Sequence, residues 1–361
     1  MSIPLSVVRP GASKPRGDKA SSSSGGFKIR SLGNLLDDDS IHPRGRLLGN
    51  CLLERGLVLL YAPTGIGKSW LSLGIAAAVA SRSSFGGFDA PSAQRVLYID
   101  GEMDVSDLKN RFGAIAKSDD AIDSRRLREN VMLFVRHDQS DDTVFPNFSN
   151  PDDRERILSV IRKQKPHLVV LDNLSTLSSV SDENAAASWD PLLELLQDIK
   201  RTGTAVLVVH HSNKAGSGYR GSSKIGVLFD AIIRLQEDPA AIGFNGAAFL
   251  WTFGKARMLD GETKAGISGR FGEGRWSWER QYDSSLHRIV AEVRSRKYTS
   301  QKELAAASEM SPGELSKQLR QAMTVGLLSM EERKLCFSEA RAHAAAETDG
   351  GDFKDEDGGE F

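Results

Sequence analysis

Short apolar runs alternate along the chain with longer segments of helical periodicity. Six runs of four or five residues consist mostly of Val, Leu and Ile: residues 57–61, 96–99, 131–135, 168–171, 205–209 and 231–235. Runs with so little polar alternation are typical of strands that are buried on both faces of a parallel sheet. Helical patterns lie between them, at residues 68–80, 104–116, 152–163 and 189–201. This order predicts a doubly wound α/β domain with a mostly parallel sheet.

The pattern changes beyond the last of these runs. Apolar patches at residues 248–253 and 275–279 predict extra strands, which we expect to be antiparallel. After about residue 285, helical patterns at 301–308 and 312–324 flank a turn, and a strand is expected to begin at Gly326. Two helices, a short turn and a strand pair are the outline of a winged helix-turn-helix.

The two ends of the chain differ from the rest in composition. Residues 1–30 are rich in Ser, Gly and Pro and carry six basic residues against one acidic, whereas residues 339–361 carry two basic against eight acidic. Neither end can bury enough apolar surface to fold alone. We therefore predict four parts: a disordered basic arm at 1–30, the α/β domain at 31–285, the winged helix at 286–338 and a disordered acidic tail at 339–361.

Overall composition excludes several classes of protein. The 361 residues suffice for about two domains, and 40% apolar with 26% charged residues exclude collagen, a coiled coil and a fully disordered chain. The formal net charge is -1. This average hides local basic segments, since residues 286–338 hold nine basic residues against six acidic. Near-neutrality therefore does not exclude binding to nucleic acid.

Secretion and membrane insertion find no support in the sequence. Cys51 and Cys336 are far apart and no C-x-x-C motif occurs, which argues against a disulfide framework or a structural zinc site. The longest apolar stretch, residues 71–80, is much shorter than the ~18 residues of a membrane span. The first residues lack the apolar core of a signal peptide. We expect a cytoplasmic protein that has no membrane partner.

The clearest chemical signal follows the first predicted strand. The segment YAPTGIGKSW at 61–70 joins a strand to a helix, which is the context of a loop whose backbone N–H groups cradle phosphates. Lys68 would reach the β- and γ-phosphates of ATP, and Ser69 would bind Mg²⁺. The common pattern has glycine where this chain has Ala62, a mild departure, and a chance glycine-rich turn is the alternative. The predicted nucleotide site comprises Ala62, Thr64, Gly65, Gly67, Lys68, Ser69 and Asp172.

Acidic residues and histidines follow three of the other strands. Because ligands bind beyond the carboxyl ends of parallel strands, Asp172 would support Mg²⁺ and Glu102 would deprotonate an attacking water. The alternatives are an Asp that caps a turn and a solvated Glu. His210 and His211 end a further strand, where a histidine can sense a γ-phosphate; a metal site is the alternative.

Two basic segments follow the histidines. The segment SNKAGSGYRGSSK, residues 212–224, contains three cations and one aromatic residue and no acid, which suits contact with a nucleic-acid backbone. Its predicted contacts are Lys214, Tyr219, Arg220 and Lys224; a mobile solvated loop is the alternative. Further on, Lys255 and Arg257 alternate on a predicted strand, as an arginine-finger pair or a surface ion-pair face would.

Taken together, these motifs resemble one family. YAPTGIGKSW, YIDGEM, LVVLDN, LVVHHSNK, GYRGSSK and FGKAR occur in this order over roughly residues 45–280. In this set the chain is similar to the RecA-like hexameric helicase ATPases, in particular the plasmid RepA-type replicative helicases and the DnaB-type helicase core. The resemblance implies a RecA-like fold, ATP and Mg²⁺ as cofactors, a hexameric ring and single-stranded DNA as partner.

The resemblance also implies roles for individual residues. Glu102 would be the catalytic glutamate and His211 the sensor, with His210 as the alternative. Residues 214–224 would form the DNA loop of the central channel, and Arg257 with Lys255 would act on a neighbouring subunit's ATP. The function expected is an ATP-dependent DNA helicase or translocase. The alternatives are a regulatory ATPase that binds duplex DNA through the winged helix, and a recombination mediator or helicase loader that does not unwind DNA.

Overall fold

The computed structural model describes residues 28–178, 186–213, 218–220, 224–238, 241, 244–259, 266–281, 284–324 and 327–349. The chain divides into two units, Met1–Pro43 and Arg44–Phe361. In the described part of the first unit, helix α1 spans Leu32–Leu36. The Ser31 side chain caps this helix by accepting a hydrogen bond from the backbone N–H of Asn34.

The second unit contains the strands and the remaining helices. Its strands are β1 (Arg46–Leu48), β2 (Leu52–Leu53), β3 (Leu57–Ala62), β4 (Ser84–Phe85), β5 (Phe88–Asp89), β6 (Val96–Asp100), β7 (Val131–Val135), β8 (Leu168–Asp172), β9 (Ala205–His211), β10 (Ala231–Gln236), β11 (Ala247–Ala256), β12 (Gly266–Gly272) and β13 (Arg275–Gln281). Its helices are α2 (Lys68–Ser81), α3 (Val105–Ile115), α4 (Ser124–Asn130), α5 (Pro151–Gln164), α6 (Leu174–Leu177), α7 (Asp190–Arg201), α8 (Lys224–Leu228), α9 (Ser284–Arg294), α10 (Gln301–Ala307), α11 (Pro312–Thr324) and α12 (Met330–Asp349).

Nine of the described strands form one sheet in the order β13-β12-β11-β10-β3-β9-β8-β6-β7. The six strands from β10 to β7 in this order are parallel to one another, and they are the six apolar runs predicted from the sequence. Strands β10 to β13 pair antiparallel. The expected α/β class with a large, mostly parallel sheet is therefore confirmed.

The sheet is covered on both faces, because alternate residues of each parallel strand enter different cores. In β3, Val58 and Leu60 pack in a core with helix α2, whereas Leu57 and Leu59 pack in a core with helices α5 and α7. Helix α2 is buried along almost its whole length. It packs so closely against the β4–β5 hairpin that a Cβ atom at Gly74 would lie 2.0 Å from the Phe85 ring.

The C-terminal part of the chain is helical and has a core of its own. Helices α9 to α12 bury a third cluster, which includes Ile289, Leu304, Leu319 and Phe337. Helices α10 and α11 lie where the two helices of the winged helix-turn-helix were predicted.

The predicted wing strand is not found, and the winged-helix prediction is not confirmed. Residues 284–324 and 327–349 contain no strand, and helix α12 begins four residues after Gly326. Ser329 explains this outcome: its hydroxyl accepts from Glu332 N at 2.9 Å, while the Glu332 carboxylate accepts from Ser329 N at 3.4 Å. Such a reciprocal box starts a helix, and the following Glu, Lys, Leu and Ala residues favour its continuation.

Helix α12 also corrects the predicted boundary of the acidic tail. Residues 339–349 were expected to be disordered, but they form the second half of this helix, which is rich in alanine. Residues 1–27 and 350–361 lie outside the described residues. Within the part of the chain that the structure describes, no helix is long and apolar enough to span a membrane.

Candidate nucleotide-binding site

The loop between β3 and α2 has the backbone of a phosphate cradle. Gly65 and Gly67 adopt φ angles of 86° and 106°, a left-handed conformation that strongly favours glycine. A Cβ atom at Gly67 would also lie 2.9 Å from the Phe249 ring. Ala62 is the last residue of β3, where the sheet sets its backbone, so glycine is not needed there. No side chain caps α2, which leaves its first N–H groups for an anion.

Lys68, the first residue of α2, is folded back over this loop. Its Nζ donates hydrogen bonds to Ala62 O at 3.1 Å and to Pro63 O at 2.9 Å. The side chain is buried, and this burial lowers the pKa of Lys68, whereas the nearby carboxylates of Asp172 and Glu102 oppose the shift. A phosphate in the loop would compete with the two carbonyls for the ammonium group.

Asp172 ends β8 and lies in a buried polar cluster. Its Oδ2 accepts hydrogen bonds from Tyr98 Oη at 2.5 Å and from Ser72 Oγ at 3.2 Å, and Ser69 lines the same cleft as this carboxylate. Burial raises the pKa of Asp172, although these hydrogen bonds lower it in part. Asp172 and Ser69 therefore lie together, as predicted for two ligands of one cation.

Asp100 is the last residue of β6 and Glu102 follows it; β6 pairs directly with β8. Asp100 accepts from the backbone N–H groups of Glu102 and Met103 at 2.9 and 2.6 Å, and burial raises its pKa to about 6. Glu102 Oε2 accepts a hydrogen bond from the side-chain amide of Asn173. Asn173 is joined to Asp172 by a cis peptide bond. The acidic side chains at the ends of the two strands thus form one group.

These residues border a single cleft of about 890 Å³. Six of the seven predicted nucleotide-site residues line it, namely Thr64, Gly65, Gly67, Lys68, Ser69 and Asp172, whereas Ala62 does not. The predicted catalytic residues Glu102 and His211 also line it. A volume of this size suits a nucleotide.

A second wall of the cleft was not predicted from the sequence. Trp70 packs on Phe271, with 4.6 Å between the ring centroids and 31° between the ring planes, and the Arg111 guanidinium lies 5.4 Å from the centre of the Trp70 ring. The only sequence signal was the position of Trp70 directly after Ser69. Aromatic faces beside a phosphate loop provide a surface on which a nucleobase can stack.

Comparison with known families identifies this arrangement. The AAA_25 family model, described as an AAA domain, matches residues 28–217, which is more than half of the chain. The chain belongs to this AAA domain family. With the phosphate loop and the sheet, membership supports a RecA-like P-loop ATPase; similarity to RepA- or DnaB-type helicases in particular is not confirmed.

Curated relatives match about half of the chain. DNA repair protein RadA of Halalkalibacterium halodurans is 28% identical over 184 residues, which is 50% of this chain and 33% of the relative. DNA repair protein RadA of Bacillus subtilis is 27% identical over 176 residues, which is 48% of this chain and 31% of the relative. The chain therefore spans about a third of the length of these relatives.

Solved structures also match this chain, at low similarity. The RadB recombinase is 17% identical, with a TM-score of 0.43, over 62% of this chain and 91% of that structure. The KaiC-like protein PH0186 of Pyrococcus horikoshii is 13% identical, with a TM-score of 0.43, over 64% of this chain and 93% of that structure.

His210 and His211, the last two residues of β9, point to opposite sides of the sheet, as neighbours in a strand do. His211 lines the cleft. His210 is almost fully buried, its ring packs edge-on against Trp189, and its Nε2 lies 3.0 Å from Arg220 O. Burial lowers the pKa of His210 to about 4, so this ring is neutral at pH 7. Of the two candidates for a sensor, His211 is the one in contact with the cleft.

The basic segment after β9 is described only in part. Lys214 lies outside the described residues, as does the side chain of Lys224, which begins α8. Tyr219 is half-buried and packs edge-on against Tyr61, at 5.7 Å between ring centroids. This packing gives Tyr219 a structural role. Contact of Tyr219 and Arg220 with DNA remains a prediction.

Lys255 and Arg257 lie at the end of β11, and neither lines the cleft of its own chain. Lys255 Nζ donates to Gly226 O at 2.8 Å and to Val227 O at 3.2 Å. Arg257 Nη2 donates to Val227 O at 3.3 Å, and its Nη1 lies 3.7 Å from Asp230 Oδ1. The pair is therefore held by the backbone carbonyls of α8, the helix that follows the predicted DNA loop.

No group of three or more His, Cys, Asp or Glu side chains in the described ranges is arranged to hold a metal ion. Ser69 and Asp172 supply one hydroxyl and one carboxylate, a pair of hard oxygen ligands that suits Mg²⁺ when phosphates complete the coordination. The donor set thus fits Mg²⁺ bound together with a nucleotide.

Proposed function

We propose that this protein hydrolyses ATP and couples hydrolysis to movement on single-stranded DNA, as a hexameric helicase or translocase. The observation that carries the proposal is the convergence of Lys68, Asp172 and Glu102 on one cleft beside a phosphate loop. Family membership supports the ATPase part. The relatives are named DNA repair proteins, which supports DNA as the partner.

Phosphate binding would begin with Lys68. The ammonium exchanges its hydrogen bonds to Ala62 O and Pro63 O for phosphate oxygens, while the free N–H groups of α2 bind the same anion. Mg²⁺, held by Ser69 and Asp172, would offset the charge of the phosphates. The nucleobase would stack on the wall formed by Trp70 and Phe271.

Glu102 would act as the general base. Asn173 holds Glu102 Oε2, which leaves Oε1 to accept the proton of a water that attacks the γ-phosphate. The two carboxylates after β6 and at the end of β8 would therefore have different roles. Glu102 would deprotonate the attacking water, and Asp172 would bind the cation.

The end of β9 would pass the state of the cleft to DNA. His211 borders the cleft, and the adjacent His210 contacts the backbone of Arg220 in the predicted DNA loop. Loss of the γ-phosphate at His211 would thus move the strand end that anchors this loop. Arg257 and Lys255 would reach the ATP of the next subunit. An arginine finger in that position raises the rate of hydrolysis roughly 10³–10⁵-fold.

A DNA repair ATPase that does not unwind DNA is a second candidate function. It is favoured by the RadA relatives and by the helix pair α10–α11, which would bind duplex DNA without the predicted wing. In that case nucleotide binding would control assembly on DNA rather than strand separation.

The test compares ATP hydrolysis with and without single-stranded DNA in the wild type, Lys68→Ala and Lys117→Ala, an exposed lysine outside the cleft. We expect stimulation by DNA in the wild type and in Lys117→Ala, and loss of at least about 100-fold in Lys68→Ala. Undiminished hydrolysis by Lys68→Ala would refute the assigned site. DNA-stimulated hydrolysis without strand displacement would favour the second candidate.

A further inference from the structure

A second large cleft lies at the edge of the sheet opposite the phosphate loop. It has a volume of about 710 Å³ and is formed where β8 and β9 begin and where α5 and α7 end. The nucleotide cleft lies at the carboxyl ends of the same strands. Neither the motifs nor the proposed mechanism uses a residue of this second cleft.

Positive charge dominates this basic cleft. Its charged or titratable lining consists of Arg95, Arg162, Lys165, His167, Asp198 and Arg201. Arg201 pairs with Asp198 at 2.6 Å and Arg162 pairs with Glu155 at 2.5 Å. Burial and the neighbouring Arg95 lower the pKa of His167, which keeps its ring neutral at pH 7. Four cations thus face one carboxylate within the lining.

Arg95 and Lys165 differ from the other two cations of the lining in their lack of an ion pair among the described residues. Both are exposed. Lys165 has a left-handed backbone with φ of 47°, at a helix end where glycine is the usual residue. Two cations that form no ion pair within the described residues, beside two paired ones, give the cleft an excess of positive charge that an anionic ligand would offset.

The shape and lining of the cleft indicate which anion fits. No Phe, Tyr or Trp lines it, and its apolar side chains are Ile161 and Pro166. A nucleobase would find no stacking surface here, unlike in the cleft beside Trp70. Arginine and lysine side chains around an open cleft bind phosphate oxygens, and they do so independently of base sequence.

We propose that the basic cleft binds the phosphodiester backbone of single-stranded DNA, as a contact separate from the predicted loop at residues 212–224. The contact is electrostatic and independent of sequence. It requires Arg95 and Lys165 and does not require ATP hydrolysis. The proposal adds a DNA contact to the proposed function and identifies its residues.

The test measures fluorescence anisotropy of a labelled oligothymidine against the full chain over a range of salt concentrations. The informative variant is Arg95→Ala/Lys165→Ala. Its control is Lys117→Ala/Arg128→Ala, which removes two exposed cations that form no ion pair in the described structure and lie outside both clefts. Both variants lose the same net charge.

We expect the Arg95→Ala/Lys165→Ala variant to bind about tenfold more weakly at low salt and to flatten the plot of log affinity against log salt by roughly 1.4, since each contact with a single-stranded phosphate contributes about 0.7. The control variant should bind as the wild type does. Equal affinities of the two double variants would overturn the proposal. So would a change of oligomeric state in Arg95→Ala/Lys165→Ala without a change in the affinity for DNA, because the cleft would then be an interface between chains.

Inorganic pyrophosphate distinguishes a free anion from the DNA backbone. Saturable binding of pyrophosphate that is lost in Arg95→Ala/Lys165→Ala, with oligothymidine binding intact, would assign the cleft to a free phosphate and contradict the proposal. Lys68→Ala separates this test from the proposed function, because it should abolish hydrolysis and keep the binding that depends on the cleft. Loss of ATP hydrolysis and loss of DNA binding at the basic cleft are thus measured in different variants.

Discussion

The Asn173 side chain contacts both the proposed general base and the start of a helix. Its amide nitrogen donates to Glu102, while its carbonyl oxygen caps α6 by accepting from Thr176 N at 3.3 Å. The two ends of one amide therefore join the proposed base to the helix that follows β8. Replacement of the amide separates these two roles.

Asn173→Asp should keep the helix cap and lose the donor to Glu102, and it places a like charge beside the base. We expect kcat for ATP to fall by about 10–100-fold, within the range that general bases contribute, with little change in KM, because the phosphate loop is untouched. The measurement is steady-state kinetics over a pH range, with Asn173→Ala as companion. An unchanged kcat and pH profile in Asn173→Asp would mean that Asn173 acts only as a helix cap and does not position Glu102.

Asp100 provides a prediction about pH. Its pKa rises from 3.8 in the unfolded chain to about 6 in the folded protein, so the folded state binds the proton more tightly and stability falls as pH rises from about 4 to 6. Asp100→Asn keeps an acceptor for Glu102 N and Met103 N but has no proton to lose. At pH 7 the variant should be about 2 kcal/mol more stable relative to the wild type than at pH 4. Urea titrations at both pH values check this, and parallel curves would contradict it.

The residues of the site were predictable where one local pattern contains them. The phosphate loop and the acidic residues at strand ends follow from strand, loop and helix order, and the structure places them at one cleft. Tyr98 and Asn173 were missed because their roles depend on pairing between β6 and β8, which are about 70 residues apart in the chain. No periodicity within one segment encodes such a partner.

At the scale of elements, helix α2 depends on a glycine for contact with the β4–β5 hairpin. Gly74→Val forces the Phe85 ring to move, since a Cβ atom would lie 2.0 Å from it. We expect a loss of about 2 kcal/mol in the free energy of unfolding, as overpacked cores typically show. Gly113→Ala is the control: no atom lies within 4 Å of its Cβ position in α3, so it should gain about 0.5–1 kcal/mol. Urea unfolding of both variants checks the pair, and equal losses would contradict the packing argument.

Elements with continuous apolar runs were predicted well, and the others less so. Strands β3, β6 and β8 are buried at every residue, so their sequences are almost wholly apolar. Strand β12 was missed because its sequence GISGRFG is rich in glycine; a Cβ atom at Gly269 would lie 2.4 Å from the Trp278 ring of β13. The wing is not confirmed: the capping box at Ser329 is a local signal for a helix, and α12 begins at Met330.

At the scale of the whole molecule, a ring of subunits predicts rescue between inactive variants. Lys68→Ala lacks phosphate binding but still presents Arg257, whereas Arg257→Ala has an intact cleft but presents no finger. Mixed rings would contain interfaces with one intact cleft and one intact finger. We expect an equimolar mixture to hydrolyse ATP several-fold faster than the sum of the separate variants, given the roughly 10³–10⁵ that a finger contributes. Strictly additive rates would place Arg257 outside catalysis or exclude action between chains.

The hydrogen bonds from Lys255 and Arg257 to the α8 carbonyls have a consequence for the proposed ring. In that ring, a neighbour's nucleotide would have to draw these cations away from the helix that follows the predicted DNA loop, so each chain would restrain its own proposed finger until a partner binds. Dilution should then lower the number of assembled rings and also the rate of ATP hydrolysis per chain. Breaking these hydrogen bonds would also signal to the predicted DNA loop that the nucleotide site of the neighbouring subunit is occupied.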